Sequence, residues 1–380
     1  MLHGSDPAAT SRDDRHSSRI PANQAAMMRH AFFIATCLSA ALCGAAAAAP
    51  VIGVAAPLSG PSALLGEQIR QGAEAAAKKT GATLEIADDS CTPEGGAEAA
   101  RTFIAAKVAI VTGFLCTESI EAALPLLKEA GIPVIATGVR TNSLTDQRTR
   151  TGWPVVRFSP RADDEIEAAA EIFGDRWRGD LFAIVDDGTI YSRELAEGFR
   201  LSIEQKTLKA VFVDTFRPQL DNQIGLAGRV RKSGATHVFV AGDRADIAIL
   251  GRDAAQIGYP VTIAGGEVLR AASESVDLAP GTLMIAPPEG PEIADPKVVA
   301  DFRARSVEPE GYVLPAYASV EIAAQAADTA AATGTAALEA LGGREFQTIF
   351  GPVGFDDKGD RTDNPYRLYR YEGGAFTETE

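Results

Sequence analysis

The sequence predicts an α/β protein built as two lobes, each a doubly wound parallel sheet covered by helices on both faces. Short apolar, β-branched runs alternate with alanine-rich stretches of helical period over most of the 380 residues. This alternation is typical of parallel sheets, because parallel neighbours need a crossover connection between them. The rhythm restarts after residues 155–158, which indicates a second sheet.

The first series of predicted strands is VIGVAAPL (51–58), TLEIADD (83–89), VAIVTGFL (108–115), PVIATGV (133–139) and VVRF (155–158). The second series is LFAIVDDG (181–188), AVFVDTF (210–216), HVFVAGD (237–243), VTIAGG (261–266) and TLMIAPP (282–288), with YRLYRY (366–371) as a last strand. Helical period occurs at 65–79, 95–106, 118–129, 163–173, 192–206, 244–256 and 317–331. We assign 51–158 and 289–350 to an N-terminal lobe. Residues 159–288 and 351–380 then form a C-terminal lobe.

The start of the chain has the pattern of a cleaved secretory signal, over residues 27–49. Met27 to His30 form a short basic start, 31–42 is mostly apolar, and the alanine run 45–49 supplies small residues for cleavage. An uncleaved membrane anchor is the alternative, which the alanine-rich composition and small-residue end disfavour. Residues 1–26 are polar, and we interpret them as disordered or as an over-long choice of start codon. We therefore expect an exported protein.

The charge of the chain argues against two classes of partner. The sequence has 36 Lys and Arg against 51 Asp and Glu, a net charge of −15. Residues 1–49 contain four Arg and three Asp, so their removal takes −15 to −16. Nucleic acids and anionic membranes both need a basic surface, so we expect neither as a partner. No stretch after residue 50 is long and apolar enough to span a bilayer, and we expect a soluble monomer.

Cysteine and histidine are too scarce for most catalytic sites. Without the leader, only Cys91, Cys116 and His237 remain of these two residue types. Two cysteines in an oxidising compartment indicate one disulfide, with two separate buried thiols as the alternative. The chain has no G-x-S-x-G, H-E-x-x-H, P-loop or G-x-G-x-x-G motif. We therefore predict no metal, no cofactor and no enzyme activity.

The segments that follow the predicted strands point to a ligand site. In open α/β sheets the ligand lies beyond the carboxyl ends of the strands, so two facing lobes would share a cleft there. These segments are polar or small, and most begin a helix, whose free N–H groups bind anions. They are PLSGPS, LCTES, TGVRT, DDGTIYS, AGDRA and GGE. Each Ser, Thr or Asp alone is explained as a helix cap, but six such segments on one edge indicate a binding cleft.

In their order and spacing, several segments resemble the periplasmic leucine/isoleucine/valine-binding proteins of ABC importers. They are IGVAAPLSGPSALLGEQIRQGAE, DDSCTPEGGAEAA, GFLCTES, DDGTIYSRELAEGF and GPVGFDDKGDR. The resemblance implies a type I periplasmic binding fold, with two lobes, three crossover segments and closure around a small solute. It also implies a disulfide between Cys91 and Cys116 that fixes the strand end presenting Thr117.

The resemblance assigns roles to individual residues. Thr117 matches the hydroxyl residue that holds a ligand carboxylate, and we expect it also to cap its helix. Gly138 matches a small residue whose backbone carbonyl contacts the ligand ammonium. Tyr191 and Glu267 match second-lobe residues that close over the amine, and Tyr312 matches an aromatic wall.

Three positions depart from the leucine binders. Arg140 stands where they have a threonine that holds the α-amino-acid group, Asp243 where they have a tyrosine, and Leu65 where they have another aromatic residue. The alternative for Arg140 and Asp243 is an ion pair, mutual or local, without a ligand role. As ligand contacts, they favour a ligand more polar than leucine.

These observations predict the substrate-binding protein of an ABC importer. Its ligand would be an amino acid, branched-chain or more polar, or a related small carboxylate. Its partners would be the ligand and the membrane permease and ATPase of the importer. A ligand-sensing receptor module of the same fold, acting in signalling, is the alternative, and a secreted hydrolase is disfavoured by the scarcity of histidine.

Overall fold

The computed structural model describes residues 49–272 and 276–379. The segment 1–26 and the predicted signal, except for its last residue, lie outside the described residues. Within the described ranges, none of the helices combines the length and the apolar composition that a membrane crossing requires.

Strands and helices alternate along the chain, as predicted. The strands are β1 (Val51–Ala56), β2 (Thr83–Asp88), β3 (Ile110–Gly113), β4 (Val134–Ala136), β5 (Val155–Arg157), β6 (Phe182–Asp186), β7 (Phe212–Thr215), β8 (His237–Ala241), β9 (Thr262–Gly265), β10 (Leu283–Ala286), β11 (Glu345–Thr348), β12 (Gly351–Gly354), β13 (Arg367–Glu372) and β14 (Ala375–Glu378). The helices are α1 (Ala63–Thr80), α2 (Pro93–Ala105), α3 (Thr117–Glu129), α4 (Ser143–Asp146), α5 (Arg148–Thr151), α6 (Asp164–Arg176), α7 (Ile190–Gln205), α8 (Ile224–Lys232), α9 (Arg244–Gln256), α10 (Gly290–Ile293), α11 (Pro296–Ala304), α12 (Val313–Thr333) and α13 (Ala337–Leu341). A 3-10 helix covers Glu267–Arg270. Each predicted strand and helix is present.

Strands β1 to β5 form the first sheet, in the order β2-β1-β3-β4-β5. All of its strand pairs are parallel, so their carboxyl ends meet at one edge. The long helix α12 packs on this sheet and on α1, and it is buried over most of its length. Gly72 allows the close approach of α1 and α12, because a Cβ there would lie 1.9 Å from the carbonyl oxygen of Val313.

The second sheet has the strand order β14-β13-β10-β9-β8-β6-β7. Strands β6 to β10 pair in parallel, but β13 runs antiparallel to β10 and β14 antiparallel to β13. The sequence indicated the parallel strands of this sheet but not the antiparallel pairing at its edge. The two-residue turn Gly373-Gly374, in which both residues have positive φ (61° and 91°), reverses the chain between β13 and β14 and makes that pair an antiparallel hairpin.

The segment after α13 bears on the predicted lobe boundaries. Strands β11 and β12 form a separate hairpin, and Val353 and Phe355 are buried in the core of the first sheet. A boundary between residues 350 and 351 would cut this hairpin from the core on which it packs. The lobe limits stay a prediction, and the packing favours a boundary after Phe355.

Candidate functional site

The carboxyl ends of the two sheets are joined by an ion pair between Arg140 and Glu267. Arg140 follows β4 of the first sheet, and Glu267 begins the 3-10 helix after β9 of the second. Nη1 of Arg140 lies 2.6 Å from Oε1 of Glu267, and the two side chains are 33% and 28% exposed. Two residues predicted for the site from the sequence are therefore in direct contact.

Tyr366 forms hydrogen bonds with both members of this ion pair. Its hydroxyl accepts a hydrogen bond from Nη2 of Arg140 and donates one of 2.6 Å to Oε2 of Glu267. Burial of Tyr366, together with the negative charge of Glu267, raises the pKa of its phenol above the ordinary value. The Nε of Arg140 is buried without a hydrogen-bond partner among the described residues.

A second carboxylate, that of Glu165 in α6, forms hydrogen bonds with the backbone of Glu267 and with the side chain of Tyr191. Its Oε1 accepts the backbone N–H of Glu267 at 2.7 Å, and its Oε2 accepts the hydroxyl of Tyr191 at 2.9 Å. Glu165 is only 2% exposed, and this burial, with the nearby charge of Glu267, raises its pKa to about 7. Gly266 leaves room for this contact, because a Cβ there would lie 2.2 Å from Oε1 of Glu165.

Two cavities lie beside this ion pair, and each is lined by one of its two members. The first, of about 510 Å³, is lined by Gly138, Arg140 and Tyr312 among others. The second, of about 440 Å³, is lined by Tyr191, Glu267, Val268, Arg270 and Pro287. Pro287 also lines the first cavity. Five of the seven predicted ligand-binding residues therefore border one cavity or the other.

The wall of the first cavity is mostly apolar. It includes the side chains of Phe158, Tyr312 and Phe350, with several prolines. The ring of Tyr312 packs over Gly138, because a Cβ at Gly138 would lie only 2.8 Å from Cε1 of that ring. A glycine is thus needed for Tyr312 to form the wall.

Three further charged residues, Arg361, Asp363 and Arg367, line the first cavity. Arg361 pairs with Asp363 at 2.7 Å, and its guanidinium lies 5.3 Å from the ring centroid of Phe158. Arg367 also lines the cavity, with its side chain 51% exposed and its pairing distance to Glu378 a long 3.9 Å. Cationic side chains therefore outnumber anionic ones among the residues that line this cavity.

Thr117, Asp243 and Leu65 border neither cavity. Thr117 is the first residue of α3, and the N-cap position belongs to Cys116, so the predicted capping role of Thr117 is wrong. Asp243 is the exposed N-cap residue of α9 and makes no side-chain capping bond. Arg140 pairs with Glu267 rather than with Asp243, which rules out the mutual pair considered from the sequence.

The structure contains the predicted disulfide between Cys91 and Cys116. Their Cα atoms lie 5.2 Å apart across a separation of 25 residues. Beside it, the hydroxyl of Ser119 donates a hydrogen bond of 2.7 Å to the buried carboxylate of Asp89. These two links hold the end of β2 against the start of α3.

Comparisons with known proteins decide the family. Residues 50–375 match the family model described as periplasmic binding protein. The chain belongs to this family. Its members bind solutes and are not enzymes, so the prediction of no enzyme activity is confirmed.

Individual relatives cover nearly the whole of this periplasmic binding protein. The Leu/Ile/Val-binding protein BraC3 of Rhizobium johnstonii is 28% identical over 368 residues, which is 90% of this chain and 99% of that protein. A putative branched-chain amino acid ABC transporter protein from Rhodospirillum rubrum has a TM-score of 0.74 at 17% identity, over 87% of this chain and 100% of that one. A solute-binding protein from R. palustris, solved in complex with 4-hydroxybenzoate, has a TM-score of 0.62 at 18% identity, covering 87% and 96%. The predicted fold is confirmed.

Sequence reasoning missed two residues of the site in this binding protein, Glu165 and Tyr366. Glu165 belongs to a helix with several acidic residues in its first turn, and nothing local distinguishes it from them. Tyr366 lies 226 residues from Arg140 along the chain. The only signal for it was the aromatic pattern of the last predicted strand, which does not identify a partner.

Proposed function

We propose that this periplasmic binding protein is the substrate-binding component of an ABC importer. It captures an amino acid or a related small carboxylate by closing two lobes around it, and it delivers the ligand to a membrane permease. The observation that carries this proposal is the Arg140–Glu267 pair, which links the carboxyl ends of the two sheets beside a cavity of about 510 Å³. Cavities that hold small ligands typically measure roughly 300–1,000 Å³.

The residues around the first cavity suit a carboxylate with an apolar tail. The guanidinium of Arg140 has several N–H donors that suit a carboxylate, and its side chain lines the cavity and is 33% exposed. Tyr312, packed on Gly138, provides an aromatic surface for the tail. The ligands named for two relatives, leucine and 4-hydroxybenzoate, both carry a carboxylate, which supports this proposal.

A calorimetric screen of the purified, exported protein tests the proposal. We expect saturable binding of one ligand per chain for at least one member of a panel of amino acids and small organic acids. Arg140→Gln should weaken the binding of that ligand. Arg303→Gln is the matched control, because it removes the same side chain from an exposed pair with Glu308. If no member of the panel binds, the proposed function is wrong.

A further inference from the structure

The position that would receive a ligand ammonium is already occupied by a side chain of this protein. Oε1 of Glu267 is bound to Arg140 at 2.6 Å, and Oε2 accepts the hydroxyl of Tyr366 at 2.6 Å. Because Tyr366 also accepts from Arg140, the three side chains form a closed ring of hydrogen bonds. The negative charge of Glu267 is therefore neutralised within the protein.

An ammonium placed on Glu267 would meet the guanidinium of Arg140 at close range. Two cations at such a distance repel each other, most strongly where water is partly excluded. If the ammonium displaced Arg140 instead, a partly buried guanidinium would lose its counterion, which is costly. Both arrangements disfavour a ligand that carries a positive charge beside its carboxylate.

Among the described residues that line the first cavity, none offers an ammonium a second free carboxylate. The acidic residue in its lining is Asp363, which is paired with Arg361 at 2.7 Å. A carboxylate, in contrast, finds the guanidinium of Arg140 in the cavity lining, with its side chain 33% exposed, and Arg367 held only at 3.9 Å from Glu378. The charge distribution around this cavity therefore favours an anion over a zwitterion.

We propose that the first cavity selects carboxylates that lack an ammonium group, with an apolar tail that packs on Tyr312 and Phe350. The chemical class is the deaminated counterpart of a hydrophobic amino acid, aliphatic or aromatic. This inference rests on the proposed function and narrows its ligand class. In it, Arg140 holds the carboxylate, and Glu267 and Tyr366 position the guanidinium.

Pairs of probes that share a carbon skeleton test this inference on the wild-type protein. Leucine is compared with 4-methylpentanoate, and phenylalanine with 3-phenylpropanoate, by calorimetry at neutral pH. We expect each acid to bind at least about tenfold more tightly than its amino acid, the equivalent of about 1.4 kcal/mol. The amine 3-methylbutylamine, which has the leucine skeleton without the carboxylate, should not bind.

The variant Arg140→Gln tests the physical reason. It releases the charge of Glu267, so the preference for the acid over the amino acid should fall by at least about tenfold. Arg303→Gln should leave the preference unchanged, because Arg303 pairs with Glu308 on an exposed surface. If Arg140→Gln does not fold, the comparison on the wild-type protein decides alone.

The outcomes distinguish a failure of this inference from a failure of the proposed function. If leucine or phenylalanine binds the wild-type protein more tightly than its deaminated partner, the inference is overturned and the proposed function stands. The same holds if the preference for the acid survives Arg140→Gln unchanged. If neither these probes nor the wider panel shows saturable binding, both are overturned.

Discussion

Replacing Glu165 by glutamine should make the protein more stable near neutral pH and leave it unchanged in acid. Glu165 is 2% exposed, and burial, followed by the charge of Glu267, raises its pKa to about 7 from an ordinary value of 4.5. A carboxyl group with a raised pKa binds its proton more tightly in the folded state. Its stabilising contribution is therefore fully present below pH 4.5 and is lost as the pH rises through 7.

The size of the effect follows from the two pKa values. A shift of one unit corresponds to about 1.36 kcal/mol, so the loss between pH 4.5 and pH 7 amounts to roughly 3 kcal/mol. Glutamine resembles the protonated form, because its oxygen can accept the N–H of Glu267 while its amide donates to the hydroxyl of Tyr191. The variant should not show this loss.

Urea denaturation of both proteins at a series of pH values between about 4.5 and 8 measures the difference in unfolding free energy. That difference should be near zero at the acidic end and should grow to roughly 3 kcal/mol above pH 7. Glu171→Gln, an exposed change on the same helix α6, is the control and should show a flat profile. A flat profile for Glu165→Gln as well would refute the reasoning, because it would mean that burial does not raise the pKa of the Glu165 carboxyl.

Three further predictions concern the disulfide, a buried ion pair and the response of the protein to ligand. Reduction of the Cys91–Cys116 disulfide should lower the unfolding free energy by about 2–5 kcal/mol, measured by denaturation with and without reductant. A doubly substituted Cys→Ser protein that still responds to reductant would contradict this. Asp360→Asn should cost about 3–5 kcal/mol, because the carboxylate of Asp360 is bound by the fully buried guanidinium of Arg157 at 2.8 Å. Asp175→Asn, in an exposed pair, should cost about 1 kcal/mol or less. Saturating ligand should reduce the radius of gyration in small-angle scattering, and identical curves at proven saturation would argue against lobe closure.

Much of the fold could be predicted because its signals are local. The period of apolar residues distinguishes strand from helix, and the alternation of the two implies parallel pairing. The antiparallel pairing of β13 with β14 was not predicted, because it depends on the turn Gly373-Gly374 and not on the strand pattern. The hairpin β11–β12 was missed because its strands, EFQT and GPVG, lack the apolar, β-branched runs that indicated the other strands.

The candidate site was predicted in part, and the limit has a physical cause. The rule that ligands bind beyond the carboxyl ends of strands indicated the segments TGVRT and GGE, and the resemblance to the leucine/isoleucine/valine-binding proteins then selected Arg140 and Glu267 within them. Which side chains these residues contact depends on chain segments far apart in sequence. Glu165 and Glu267 are 102 residues apart, and Tyr366 is 99 residues from Glu267. A local pattern carries no information about such partners.

The departure at Arg140 changes what the neighbouring residues can do. The resemblance implied a threonine at this position and a glutamate at position 267 that receives a ligand amine. Here a guanidinium lies 2.6 Å from Glu267, and Tyr366 bonds both partners, so the glutamate becomes half of a neutral pair. A zwitterion would have to break this pair, whereas an anion can join it at Arg140 while the pair stays intact. Because the pair also connects the two sheets, a ligand that joins it at Arg140 leaves this contact between the sheets unbroken. Selection of the ligand and closure of the protein would then depend on the same three side chains.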